Sequence, residues 1–496
     1  MTVSIFRLVP SCRVTWLLRW RQRLAAAGLA MLAGGCVHAE GLARPPDTLF
    51  AAQREAGRSP EAGNRFCARG AFGRTPVSLL DAVGRALCSD PRTRQAWAYI
   101  QAQQAQLGVD RAAYWPTLGA DASVAQVDQH VTYTNLPGLE SSLHTRSTDV
   151  GLTLSWVLYD FGLRAANLEH SRQLLNAAIA SRNETLQTVF LDTVRVYYDA
   201  QTRLTLLQAD RETERIAHES FVIAQAKFKA GAATLADKLQ AKTAYSQAVL
   251  ERMQAQSDLD KAMGALAVEM GLAPGASLHL PSVDDDGVHQ DDYRKTVDTL
   301  VGEAMHTNPA ILAAQAKLAA ARAEARSARS QNLPRLSLLA SIDRSDTPIT
   351  EVTSRQVINN RSIGLQLTIP IVDVGSHYQV SKADAEVDAR KADLDQARRT
   401  VSLDVWKNYE EFTSGLSTLK TANDLLHSAR QSVKVAFGRY KAGVGSLLEL
   451  LRAQSDLTSA ERQRVLALTQ WKTGQFKLAA SLGQLERGGL PRADRP

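Results

Sequence analysis

Cysteine is scarce in this chain, four in 496 residues, and two of the four fall within the first 36. No segment after residue 36 has the ~20 apolar residues that a membrane-spanning helix needs. Net positive charge is nearly absent once the N-terminus is set aside. Arg7, Arg13, Arg19, Arg21 and Arg23 supply five of the formal +7, with no acid among residues 1–36, which leaves +2 for the rest. Without a basic face there is no footing for nucleic acid. Metal and phosphate chemistry are missing as well. His170, His306 and His377 are scattered and lack the spacing of a zinc site. No glycine loop of phosphate-binding form occurs, and Gly443-Val444-Gly445-Ser446 has no strand before it, as a nucleophile elbow would. The acidic stretch VDDDGVHQDDY, 283–293, lacks the later ligands of a calcium loop and reads as solvated linker. Catalysis and a resident cofactor find no support, while 45% hydrophobic content is enough for a sizeable core.

What the N-terminus does have is a basic stretch, 12 apolar residues from Leu24 to Gly35, and then small residues. That is the form of a secretory signal. Cleavage fits before Glu40, after Val37-His38-Ala39, or before Cys36. There Ala33-Gly34-Gly35-Cys36 resembles a lipoprotein box, with Leu32 one place too far from the cysteine, so Cys36 is a candidate for lipidation. Either cut sends the mature chain out of the cytoplasm. Cys67 and Cys88 remain in a compartment that permits disulfides. They are either bridged, stapling an N-terminal extension to the first helix, or two separate buried thiols.

The chain repeats itself. KFKAGAATLADKLQAKTAY at 227–245 parallels RYKAGVGSLLELLRAQSDL at 439–457. Gly231 and Gly443, and Gly271 and Gly483, lie 212 residues apart, and Gly151 and Gly364 lie 213 apart. Asp160-Phe161-Gly162 and Asp373-Val374-Gly375, Asp90-Pro91 and Asn308-Pro309, and Trp115-Pro116 and Leu333-Pro334 follow in the same order. Such collinear landmarks mark an internal duplication. The expected layout is a signal over 1–39, an extension over 40–75, a first copy over 76–274, a linker over 275–293, a second copy over 294–485 and a tail over 486–496.

Within each copy the hydrophobic period changes twice. Helix is expected up to residue 114, broken at Asp90 and Asn308, each an N-cap followed by proline at the first helical position. Period two follows in four segments, about 117–128, 148–159, 335–344 and 362–372. Leu118, Ala120, Ala122 and Val124 alternate with Gly119, Asp121 and Ser123; Ile363, Leu365, Leu367 and Ile369 alternate with Gly364, Gln366 and Thr368. Helical period then returns for about 65 residues, close to ~100 Å of helix. Leu186, Phe190, Val194, Tyr197, Leu204 and Leu207 trace one stripe, and Val189 and Val196 begin a second, so neighbours are expected on two sides. Helices of about 38 residues before the hairpin and after the turn match the long one when laid end to end.

The repeated interruption is a tight turn between helices. Lys229 and Lys441 suit a last helical turn, Gly231 and Gly443 fit the left-handed position that ends a helix, and Thr234-x-x-Asp237 and Ser446-x-x-Glu449 are capping boxes for the next. For the two acids, capping alone is a sufficient role.

Strands with one apolar and one polar face suit a barrel wall between lipid and water. Four strands cannot close a barrel, and an open edge in lipid leaves backbone groups unpaired. Several chains must therefore pool strands, two giving eight and three giving twelve.

This combination resembles the TolC family of outer-membrane factors across about residues 76–485. The resemblance rests on the duplicated layout, the aromatic-x-x-Gly turns and the strand-ending Asp-x-Gly. It implies a mainly α fold with a membrane β-barrel: a homotrimer with four strands per protomer, a twelve-stranded barrel in the outer membrane and a long α-helical barrel in the periplasm. It also implies a periplasmic adaptor (membrane fusion protein) at the hairpin tips, near Gly231, Gly443, Lys229 and Lys441, and an inner-membrane transporter behind it. Tyr440 and Asp237 match a tyrosine–aspartate contact that holds the periplasmic entrance shut, and Glu449 matches one acid of the entrance ring. Two positions depart: Gly445 stands where a lock arginine is expected, and Arg452 where a second acid is.

The family serves drug efflux, metal efflux and one-step protein secretion. The lack of a clean lipoprotein box and the Cys67–Cys88 segment favour type I protein secretion with an ABC transporter, over an efflux pump of the RND type. A coiled-coil envelope scaffold would not need the strands, and a periplasmic adaptor should carry a lipoyl-like module, which is not seen.

Overall fold

The structure is a computed structural model, described over residues 76–132, 141–281, 296–349 and 354–483, all within the compact unit Pro60–Pro496. Cys36 and Cys67 lie outside these residues, as does the signal; Cys88 is disulfide-bonded.

The first copy runs α1 (Leu79–Ser89), α2 (Pro91–Ala112), β1 (Thr117–Val131), β2 (Ser141–Tyr159), α3 (Leu163–Lys229) and α4 (Leu235–Glu269). The second repeats it as α5 (Val297–Thr307), α6 (Pro309–Ser330), β3 (Arg335–Ile349), β4 (Ser354–Thr368), α7 (Val374–Ala442) and α8 (Leu447–Ser481). The breaks at 90 and 308 form as expected. The Asp90 and Asn308 side chains accept from the N–H groups of Arg92 and Ala310, with proline first in each following helix.

The long helices α3 and α7, 67 and 69 residues, organise the rest. Helices α2, α4, α6 and α8 all pack along α3, so its stripes face neighbours on two sides. Phe190, Val194 and Tyr197 join a core with Leu266, Met270 and Phe476, and Val401 and Val405 of α7 join one with Leu300, Ile311 and Leu478. Past Phe476, much of the seam between α3 and α8, where the copies meet, is polar. Thr202 and Thr469 lie 2.6 Å apart, Gln454 donates to Ser220 at 3.1 Å, and Arg462 reaches Asp210 at 3.1 Å and Glu251 at 3.3 Å.

The strands form one antiparallel sheet in the order β1-β2-β3-β4, joining the two hairpins edge to edge. Their limits differ from those read off the alternation. The first three strands extend further from the helices, to Val131, back to Ser141 and on to Ile349, and β4 spans 354–368 rather than 362–372. The alternating signal fades where both faces are wet, although backbone pairing continues. At the other end the ladder stops with Arg335 opposite Thr368, because Pro334 precedes it and leaves residues 369–372 nothing to pair with.

Candidate functional site

Two places carry function: the wall made by the sheet and the hairpin tips far from it. Along the outward face the apolar side chains are bare. Leu118 is 71% exposed, Ile363 77% and Leu365 67%, values a soluble sheet would bury. The inward face is polar. Gly151 lies between Asp121 and Asp343, whose carboxylate oxygens each come within 2.9 Å of where its side chain would begin. Strands β1 and β4 each have one neighbour only, so both edges of the sheet are open.

The sheet is fixed to the helices by Arg164. Its guanidinium donates to Asp160 at 2.8 Å and to the carbonyls of Val157, Leu158 and Ala113 at 2.7, 3.2 and 3.3 Å. It also covers the Tyr114 ring at 4.6 Å. Sequence reading passed over this residue, because apart from Asp160, four residues before it, its hydrogen-bond partners are backbone carbonyls.

At the other end the tips of the two copies pack together. Ala224 and Ala241 of the first meet Val433, Ala436, Tyr440 and Leu450 of the second. Gly231 and Gly443 have φ of 75° and 81°, with open space around both. Glycine is needed there for the backbone turn. Lys229 and Lys441 are exposed beside them.

The capping box at Thr234 and Asp237 is complete, with bonds of 3.1 and 3.0 Å. The Thr234 hydroxyl, donating to the Asp237 carboxylate at 2.7 Å, and then the Thr234 N–H hold that carboxyl below its ordinary pKa. At the second tip only half of the box forms: Ser446 accepts from the Glu449 N–H at 3.1 Å. The Glu449 carboxylate turns instead to Arg439, 3.4 Å away. It is therefore an ion-paired acid and not a free one.

Tyr440 is buried, and its hydroxyl has no hydrogen-bond partner. Burial, and then the charge of Asp237, push its pKa up. The two residues are thus electrostatic neighbours without the hydrogen bond that a tyrosine–aspartate lock implies, since Asp237 is engaged in capping its own helix. Gly445 could not hold an arginine in this turn: a side chain would start 2.9 Å from the Arg439 Cβ and 3.1 Å from its backbone. Arg452 is exposed on α8.

Sequence reading missed Lys227. Its ammonium donates to the Tyr440 carbonyl at 2.5 Å and lies 4.1 Å from the centre of the same ring. A charge-assisted bond of this kind contributes about 1.5–3 kcal/mol. Lys227→Met is expected to loosen the tips without unfolding the chain, raising single-channel conductance in planar bilayers while the thermal midpoint moves little. Unchanged conductance would rule out a holding role for Lys227.

Comparison with known proteins settles the family. The model for "Outer membrane efflux protein" matches residues 82–272 and 300–484, one stretch per copy. The chain belongs to the outer membrane efflux protein family. It is 32% identical to Protein CyaE of Bordetella pertussis over 469 residues, covering 94% of this chain and 95% of that one. It is 24% identical to the alkaline protease secretion protein AprF of Pseudomonas aeruginosa over 423 residues, covering 84% and 86%. The crystal structure of the outer membrane protein VceC from Vibrio cholerae superposes with a TM-score of 0.71 at 18% identity, covering 82% of this chain and 96% of that one. The TolC-like layout read from the sequence is thereby borne out. This outer membrane efflux protein is a channel and not an enzyme, set in the outer membrane with its helices in the periplasm. Among the described residues no helix is long and apolar enough to cross a membrane.

Proposed function

We propose that this channel is the outer-membrane conduit of a type I protein secretion system. In that role it takes substrate from an inner-membrane ABC transporter through a periplasmic adaptor. Three chains pool their four strands into a twelve-stranded barrel. The open edges of β1 and β4 carry this reading, because unpaired strand edges cannot stand in lipid. Bare apolar side chains on the helices fit the same assembly: Leu403 and Trp406 on α7, and Leu239, Leu250 and Met253 on α4.

The adaptor docks at the exposed turns around Gly231, Gly443, Lys229 and Lys441. The entrance is bounded by Asp237, Tyr440 and Glu449. Cys67 is the proposed partner of Cys88, and Cys36 is a lipidation candidate only if cleavage falls before it. Secretion is favoured over drug or metal efflux by the likeness to CyaE along nearly the whole chain and by the secretion role printed in the name of AprF.

Deleting the gene separates the two readings. The expected result is loss of one or more proteins from the culture medium with drug and metal susceptibility unchanged. Normal secretion with lost resistance would replace secretion by efflux.

A further inference from the structure

Where the apolar band of the sheet ends, two arginines begin. Arg361 on β4 lies opposite Ile342, and Arg344 on β3 lies opposite Val150 on one side and Asn359 on the other. Arg344 and Arg361 are therefore diagonal neighbours on the outward face, about 7–8 Å apart at the backbone, with Asn359 beside both. Both are exposed, and neither makes a hydrogen bond or ion pair among the described residues. Asp346, two places along from Arg344 on the same face, is held by both reaching nitrogens of Arg355 and also lies in the field of Arg344, with which it makes no hydrogen bond. By strand alternation the carboxylates of Asp121, Asp149 and Asp343 belong to the inward face. Three acids thus face the water side at this level, while on the lipid side the two guanidiniums stand beside one carboxylate, Asp346, already bound to Arg355.

Directly below the pair the outward face is apolar, with Val150 52%, Leu152 47%, Ile342 56% and Ile363 77% exposed. Within β4 the outward apolar side chains run from Leu367 through Leu365 to Ile363, and Arg361 ends the run, as interfacial residues end the apolar band of outer-membrane barrels. The arginines stand at the far edge of that band, level with the headgroups of the outer leaflet. A planar guanidinium matches a phosphate bidentately, and two within reach of one anion, above an apolar strip, match an amphiphile with a phosphorylated head.

We propose that Arg344 and Arg361, with Asn359, bind the phosphate of an outer-leaflet glycolipid whose acyl chains lie along the strip beneath. This rests on the sheet being a lipid-facing barrel wall. The test is native mass spectrometry of the full-length trimer in mild detergent, titrated with phosphorylated lipid A, with enzymatically dephosphorylated lipid A, and with inorganic phosphate alone.

The wild-type protein should retain the phosphorylated lipid. Removing the phosphate from the lipid, or making the double variant Arg344→Gln/Arg361→Gln, should each weaken retention about tenfold or more. Equal retention of the dephosphorylated lipid, undiminished retention by the double variant, or displacement of the lipid by inorganic phosphate at equal concentration would each overturn the proposal. The lipid comparison needs no mutation, so a variant that fails to assemble does not leave the idea untested. A wild-type chain that yields no heat-modifiable trimer would defeat the wall itself, a different result from an intact trimer indifferent to the phosphate.

Discussion

Leu365→Arg is expected to abolish the heat-modifiable trimer in outer-membrane fractions, whereas Gln366→Arg, one residue away, leaves it intact. Leu365 sits on the outward face of β4, opposite Leu338, and Gln366 sits on the inward face, opposite Ser337. An arginine facing the middle of the bilayer costs about 2–4 kcal/mol in a barrel wall, and three chains would carry it at one level. The same side chain pointing into a water-filled lumen keeps its hydration. Seeing both variants assemble equally, or both fail, would contradict the assignment of faces. Electrophoresis of heated and unheated membrane extracts reads the outcome directly.

The second large effect is at Arg164. Removing it strands Asp160, 8% exposed, and deprives three backbone carbonyls of their shared donor. Taking one partner from a buried pair costs about 3–5 kcal/mol. Arg164→Ala should therefore lower the trimer's thermal midpoint and open the peptide bonds near 157–164 to protease. Asp160→Ala in the same chain should restore part of the loss, because the stranded charge goes with it. The matching position of the second copy is His377, exposed and meeting the Tyr378 ring edge-on at 5.7 Å. His377→Ala should stay within about 0.5 kcal/mol of wild type. Equal losses at both positions would mean that the clamp contributes nothing particular to the first copy.

What could be read from the sequence follows from what is periodic. The stripes on α3 place Val189, Val194 and Tyr197 in the core because a helix brings every third or fourth residue to one side. Thr234 and Asp237 announce their turn because capping is local. Leu118 to Val124 announce a strand because one face meets lipid and the other water. The signal is lost past Asp128, at Gln129 and His130, yet the ladder continues with His130 opposite Ser142. Lys227 and Arg164 act through backbone carbonyls distant in sequence, and a carbonyl leaves no trace in residue type. The crowding of Gly445 by Arg439 is likewise invisible in residue type.

The two junctions between sheet and helices are not alike, although the copies that make them are. In the first, Arg164 ties the ends of α2 and β2 into one rigid knot. In the second, Asp373 merely caps the exposed start of α7, accepting from Gly375 at 2.9 Å and Ser376 at 3.3 Å. A torsional load entering at the hairpin end would pass stiffly to the outer rim along α3 and be absorbed at the base of α7. Gating would then be an unequal twist within each chain, with one leg as the axle and the other swinging about it.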